Sequence, residues 1–164
     1  MPDRLRTACL SRLAQLVDLL NAQGFGLEPP TVSFDLRGQA AGRAWSARHH
    51  IQLNPVLLEE NPEAFVREVV GHELAHLAAA RRHGPLIRPH GPQWQETMRL
   101  IGLAPRRCHP FDTTRASAAP RPYRWDCDCP TPHWLTAHRH ATALRQGYRC
   151  LRCRASMRFE RLAA

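Results

Sequence analysis

Lysine does not occur in this chain: all 23 basic residues among its 164 are arginine, against 14 carboxylates, for a formal charge of +9. No stretch approaches the roughly 18 apolar residues that a membrane span requires. The first twenty residues lack the basic start, apolar run and small-residue cleavage site of a secretory signal. A cytoplasmic protein without membrane contact is expected, and its six cysteines are expected to be reduced. A chain of this length can bury a core as one domain, or one domain plus a small appendage, without a disulfide framework.

The charge is lopsided. Residues 1–98 hold ten arginines and ten carboxylates, whereas residues 99–164 hold thirteen and four. A one-ended cationic field suits contact with a polyanion such as DNA, and an arginine-rich composition accounts equally well for the absence of lysine.

Apolar residues at Leu5, Leu13, Leu16, Val17, Leu19 and Leu20 predict a packing helix over 4–22, stopped by Gly24. Val32, Phe34 and Leu36 alternate with polar neighbours and predict a strand over 31–36. A glycine-containing turn leads to a second strand over 43–47, and residues 50–53 supply a third, together a small antiparallel meander. Asn54-Pro55 opens a short helix to about Glu60, and Asn61-Pro62-Glu63 opens another. The second carries Phe65, Val69, Val70, Leu74, Leu77 and Ala78 as a broad apolar stripe and ends at Gly84-Pro85. A further amphipathic helix, with Trp94, Met98 and Ile101 on one face, spans 92–101. Residues 113–122, rich in Ala, Pro, Arg and Ser, read as a linker.

The central helix contains His72-Glu73-Leu74-Ala75-His76. Histidines four apart project from one helix face, so both imidazoles can reach one zinc ion at about 2.0–2.1 Å. Glu73, one residue on, is placed to take a proton from the attacking water rather than to bind the metal. A catalytic zinc takes a third protein ligand. Ala79 and Arg82 exclude the metzincin pattern, which leaves His83, His90 and Glu96 as candidates. His83 would need a break in the helix, since seven residues carry it about 10 Å along the axis. His49, His50 and His109 read as solvated or hydrogen-bonded side chains.

Beyond Tyr123, Cys127-x-Cys129 and Cys150-x-x-Cys153 present two cysteine pairs across a hairpin-length spacer, as a zinc ribbon does. The four are assigned to a structural zinc. Because only one residue separates the first pair, His133, His138 and His140 are alternative ligands. Arg139, Arg145, Arg149, Arg152, Arg154 and Arg158 surround this module, and the first five are a candidate nucleic-acid-binding set. Its aromatics, Trp125, Trp134 and Tyr148, are assigned to the module's core. Cys9 and Cys108 receive no role.

The chain resembles the SprT and Spartan metallopeptidases: His90-Gly91-Pro92-Gln93-Trp94, with Met98 four residues later, follows the His72–His76 motif as in that family. Ile51-Gln52-Leu53-Asn54, Leu57-Leu58 and the cysteine segment extend the likeness over most of residues 1–160. The resemblance implies a minimal zincin-like α+β domain (1–112), then the linker, then a zinc-ribbon-like module (123–164). It also implies His90 as third ligand, peptide hydrolysis as the activity, and a DNA-linked role, because relatives degrade proteins crosslinked to DNA. On this reading the substrates are proteins, two Zn2+ ions are bound, and the protein is cytoplasmic with association to the nucleoid. The alternative function is a nucleic-acid-binding zinc protein without peptidase activity.

Overall fold

Cys9, Leu13, Leu16, Val17 and Leu20 recur at helical spacing and bury the inner face of α1 (Asp3–Asn21) in the computed structural model, which describes residues 1–117 and 123–160. The chain divides into two compact units, Met1–Ser117 and Ala118–Ala164. Both contain helices and small sheets, so the fold class is α+β.

In the first unit, β1 (Thr31–Ser33), β2 (Gly42–Trp45) and β3 (His50–Leu53) form a three-stranded sheet in the order β1-β3-β2. The expected antiparallel pairing holds for β2 and β3, with Gly42 opposite Leu53 and Trp45 opposite His50. It fails for β1, which lies parallel to β3 with Thr31 opposite His50. The meander is therefore a mixed sheet, and β2 is one of its edges. The strand predicted over 31–36 pairs only over its first three residues.

Asn54 joins this sheet to the helices. Its side chain is fully buried, and Nδ2 donates to the carbonyls of Gly38 (2.9 Å) and Ala40 (3.1 Å). Oδ1 accepts from the N–H groups of Val56 (3.1 Å) and Leu57 (3.4 Å), which caps α2 (Pro55–Glu60). One side chain thus fixes both the turn that leads into β2 and the start of a helix. Asn54→Ala would orphan buried backbone groups and is expected to destabilise the unit by about 2–3 kcal/mol, read from urea unfolding. A loss under about 0.5 kcal/mol would show that the turn holds itself.

The second asparagine-proline signal opens α3 (Pro62–Ala64), which continues through a π-helical stretch, Phe65–Val69, into α4 (Val70–His83). Val70, Leu74, Leu77 and Ala78 are buried on α4, the central core helix. It packs against α1, β2 and α5 (Pro92–Leu100), which contributes buried Trp94, Thr97 and Met98. The first residues of the expected linker pack here: Ala116 is buried, and its carbonyl accepts from Gly38 N–H at 3.1 Å. Residues 118–122, the rest of that expected linker, lie outside the described residues.

In the second unit, β4 (Tyr123–Asp126) sits between β5 (His133–Leu135) and β6 (Arg158–Phe159), antiparallel to both. The spacer between the cysteine pairs is more than a hairpin, since it holds β5 and α6 (Ala137–Gln146). The core is small: Trp125, Leu135 and Ala143, flanked by Tyr123, Tyr148 and Met157. Trp134, expected in that core, is 54% exposed. Strand alternation explains this, because His133 and Leu135 take the inward positions on either side of it. No described helix is long and apolar enough to cross a membrane.

Candidate metal centres

Helix α4 presents His72 and His76 one turn apart on one face. The third histidine of the cluster, His90, comes from the turn before α5. Their Nε2 atoms form a near-equilateral triangle: 3.3 Å between His72 and His76, 3.1 Å between His72 and His90, and 3.2 Å between His76 and His90. Nitrogens about 2.0–2.1 Å from a single tetrahedral zinc stand about 3.3–3.4 Å apart, so the triangle fits one ion with a fourth position left over. Neither His83 nor Glu96 belongs to this cluster, and both are exposed.

Trp94 forms the floor. It is 1% exposed, and its ring centroid lies 4.8, 5.4 and 4.7 Å from those of His72, His76 and His90. Its Nε1 donates to the His72 carbonyl at 3.3 Å. His90 is held differently: its backbone has φ of 59°, the left-handed region that non-glycine residues seldom occupy. The turn is tied by Gly91 N–H to the Arg88 carbonyl (3.0 Å) and by Gln95 Nε2 to the His90 carbonyl (3.1 Å). A Cβ on Gly91 would lie 2.9 Å from the Arg88 oxygen, so the residue after the histidine has to be glycine. Backbone strain of about 1 kcal/mol or more is held here at the point where the ring meets the other two.

Burial lowers the pKa of His72 to about 4 and that of His76 to about 3, and nearby histidines add to both shifts. Burial also lowers the pKa of His90, with the Arg107 guanidinium contributing. All three rings are therefore neutral near pH 7, the form that ligates a metal. Glu73 is 6% exposed, and burial pushes its carboxyl up to about 8, opposed by the Ala44 backbone N–H and the charge of Arg43. Gly42 makes room for it: a Cβ there would lie 2.5 Å from Glu73 Cγ and 2.7 Å from Oε1. The edge strand β2 thus approaches the carboxylate closely. The cleft over this site has a volume of about 1040 Å3.

His49, His50 and His109 are hydrogen-bonded elsewhere. His49 Nε2 lies 2.7 Å from the Glu28 carbonyl, and His50 bridges Thr31 and Ser33 at 2.8 and 3.0 Å. His109 Nε2 lies 3.2 Å from the Gln39 carbonyl, while its Nδ1 accepts from Phe111 N–H.

In the second unit, Cys127, Cys129, Cys150 and Cys153 bring their sulfurs together as a group able to hold a metal ion. Cys129 and Cys150 Sγ are 3.7 Å apart. Thiolates about 2.3 Å from a tetrahedral zinc stand about 3.8 Å apart, so this pair fits. Backbone N–H groups point at the sulfurs, from Cys129 to Cys127 and from Arg152 to Cys150, each at 3.4 Å. The Cys153 and Arg152 amides hold Cys150 down at about 6, whereas the Cys127 thiol beside it pushes Cys129 up to about 12. One thiolate among crowded thiols is a site that gains by exchanging protons for a cation.

His133 Nε2 comes within 3.2 Å of Cys127 Sγ and 3.5 Å of Cys150 Sγ. His140 is engaged elsewhere, stacked on Tyr123 at 3.8 Å and accepting from Trp125 Nε1 at 3.2 Å. His138 is exposed on α6. Arg139, Arg145, Arg149, Arg152 and Arg154 are all exposed. Of the three histidines that the short Cys127–Cys129 spacing made alternative ligands, only His133 lies beside the sulfurs.

An α+β chain with a three-histidine cluster and a four-cysteine cluster, each able to hold a metal ion, defines the class. The SprT-like family model matches residues 13–115, and the chain belongs to that family. It is 44% identical over 132 residues to Protein SprT of Pseudomonas paraeruginosa, covering 79% of this chain and 80% of that one. It is 38% identical over 157 residues to Protein SprT of Escherichia coli O139:H28, covering 93% of each. No solved structure matches.

Proposed function

We propose that the first unit is a zinc-dependent endopeptidase with a zincin-like active site. The observation that carries this reading is the triangle of His72, His76 and His90 nitrogens beside a buried glutamate that no ligand role requires. The three imidazoles would hold the ion. Zinc bound there supplies Lewis acidity, polarising the scissile carbonyl and lowering the pKa of water. Glu73 takes the proton of the attacking water and returns it to the leaving amine. Glu73 would be held in place for this role by the close approach of Gly42 and by the Ala44 N–H, from which its carboxylate accepts. The free edge of β2, with Gly42, Arg43 and Ala44 lining the cleft, offers backbone groups to an extended peptide strand.

The second unit is proposed to bind a structural zinc through Cys127, Cys129, Cys150 and Cys153. Its small core supports this role, because three buried side chains hold little structure without a metal. Exposed Arg139, Arg145, Arg149, Arg152 and Arg154, with the exposed Trp134, support contact with DNA, and thereby action on DNA-associated or DNA-crosslinked proteins in the cytoplasm.

Metal removal tests both halves. Dialysis against a chelator is expected to abolish cleavage of an unstructured protein substrate, and one equivalent of zinc returned to the histidine site should restore it. Affinity for a single-stranded oligonucleotide should fall linearly on a log-log plot against salt. A zinc-replete protein that cleaves nothing yet binds the oligonucleotide would replace the peptidase reading with that of a binding module.

A further inference from the structure

Arg43, Arg88, Arg106 and Arg107 line the cleft above the three histidines, and they reach it from separate places: the edge strand β2, the loop before His90, and the segment after α5. All four are exposed, and none has an ion-pair partner among the described residues. The charges of two reach the site itself, Arg43 at Glu73 and Arg107 at His90. The opposing charge is slight. Glu68 lines the cleft but is paired with Arg67 at 2.9 Å, and Glu73 lies buried at the bottom.

The lining as a whole carries five arginines, Arg67 included, against the two carboxylates Glu68 and Glu73. Cations thus outnumber anions on one concave surface. Like charges gathered in a cleft repel one another, and a bound anion relieves that repulsion.

We propose that the cleft selects peptide segments carrying aspartate or glutamate on either side of the scissile bond. This rests on the peptidase reading above and names its substrate class. A polypeptide fits better than a nucleic acid strand, because the lining offers no tryptophan or tyrosine on which a base could stack. Its one phenylalanine, Phe111, is already stacked against Phe65 at 6.2 Å and His109 at 4.8 Å. The planar guanidinium groups carry the discrimination, since each can pair with a carboxylate through two parallel N–H donors. Arg88 and Arg107, set on loops flanking His90, would meet the side chains of the bound segment, whereas Arg43 would meet its backbone along β2.

The test separates binding from turnover. Fluorescence anisotropy on the full-length, zinc-loaded Glu73→Gln variant would compare peptides of one sequence with glutamate or lysine flanking a central dipeptide, and a thymidine oligonucleotide as competitor. The glutamate peptide is expected to bind at least about tenfold more tightly at low salt, with the advantage shrinking toward unity as salt screens the cleft. Arg88→Gln combined with Arg107→Gln should remove most of that advantage while leaving zinc content and the circular dichroism spectrum unchanged. Equal affinities, or tighter binding of the lysine peptide, overturn the proposal. So does stoichiometric displacement of the glutamate peptide by the oligonucleotide, which would make the cleft a nucleic-acid site. If the glutamate preference holds and the unsubstituted protein hydrolyses neither peptide, the peptidase reading fails while the charge selection stands.

Discussion

Glu73→Gln is expected to keep the zinc and the fold and to lower kcat by about 10²–10⁴-fold, the range associated with losing a general base. The amide has the shape of the carboxylate, so it fits the space left by Gly42, and its oxygen can still accept from the Ala44 N–H. What it cannot do is hold a proton in transit. Stability gives an independent reading. Because burial pushes the carboxyl up to about 8, the folded metal-free protein holds this proton more tightly than the unfolded chain does. Its stability therefore falls as pH rises from the ordinary carboxylate range toward about 8. The amide mimics the protonated form and escapes that loss, so the metal-free variant should melt no lower than the parent at pH 8. Peptide hydrolysis, elemental zinc analysis and Tm by circular dichroism check the three parts. Turnover at the parental rate would remove Glu73 from the chemistry.

Most of what positions the histidine site was legible because it is local. Helix α4 follows from apolar spacing, α2 from the Asn54-Pro55 cap, and α5 from Pro92 with Trp94 and Met98 on one face. The spacing of His72, Glu73 and His76 is itself a statement about one helix face. His90 was selected by resemblance rather than by geometry, and its ring does join the other two. What the sequence hid depends on long-range contact. Nothing near residues 31–36 says that β1 lies parallel to β3, and nothing near Gly42 says that its missing side chain makes room for a glutamate 31 positions later. Helix α6 escaped notice because Ala143 is the one residue in its ten that is buried, too little apolar content to mark a face. The cationic cleft escaped too. Its arginines come from three segments, each unremarkable in a chain whose basic residues are all arginine.

Substituting one ligand in each unit should separate the two metal centres. The intact chain is expected to carry about two zincs, and His90→Ala should lower this to about one, since two helical histidines alone make a weak site. Its first unit should stay folded. The core around Leu57, Phe65, Leu74 and Trp94 does not depend on a metal, and the hydrogen bonds that tie the turn at residue 90 do not involve its side chain. Cys150→Ala should also leave about one zinc, with a different structural outcome. Removing a buried sulfur that lies 3.7 Å from Cys129 takes the cross-link from a unit whose core is Trp125, Leu135 and Ala143, so that unit should unfold. Elemental analysis counts the metal, and hydrogen exchange over residues 123–160 reads the unfolding. Hydrolysis should vanish in His90→Ala, whereas Cys150→Ala should keep it on a small peptide and lose oligonucleotide affinity. An intact protein with one zinc that survives His90→Ala would mean that only the cysteines bind metal, and the peptidase reading would give way. Two zincs in Cys150→Ala, with exchange unchanged, would instead show that His133, within 3.5 Å of that sulfur, can complete the site in its place.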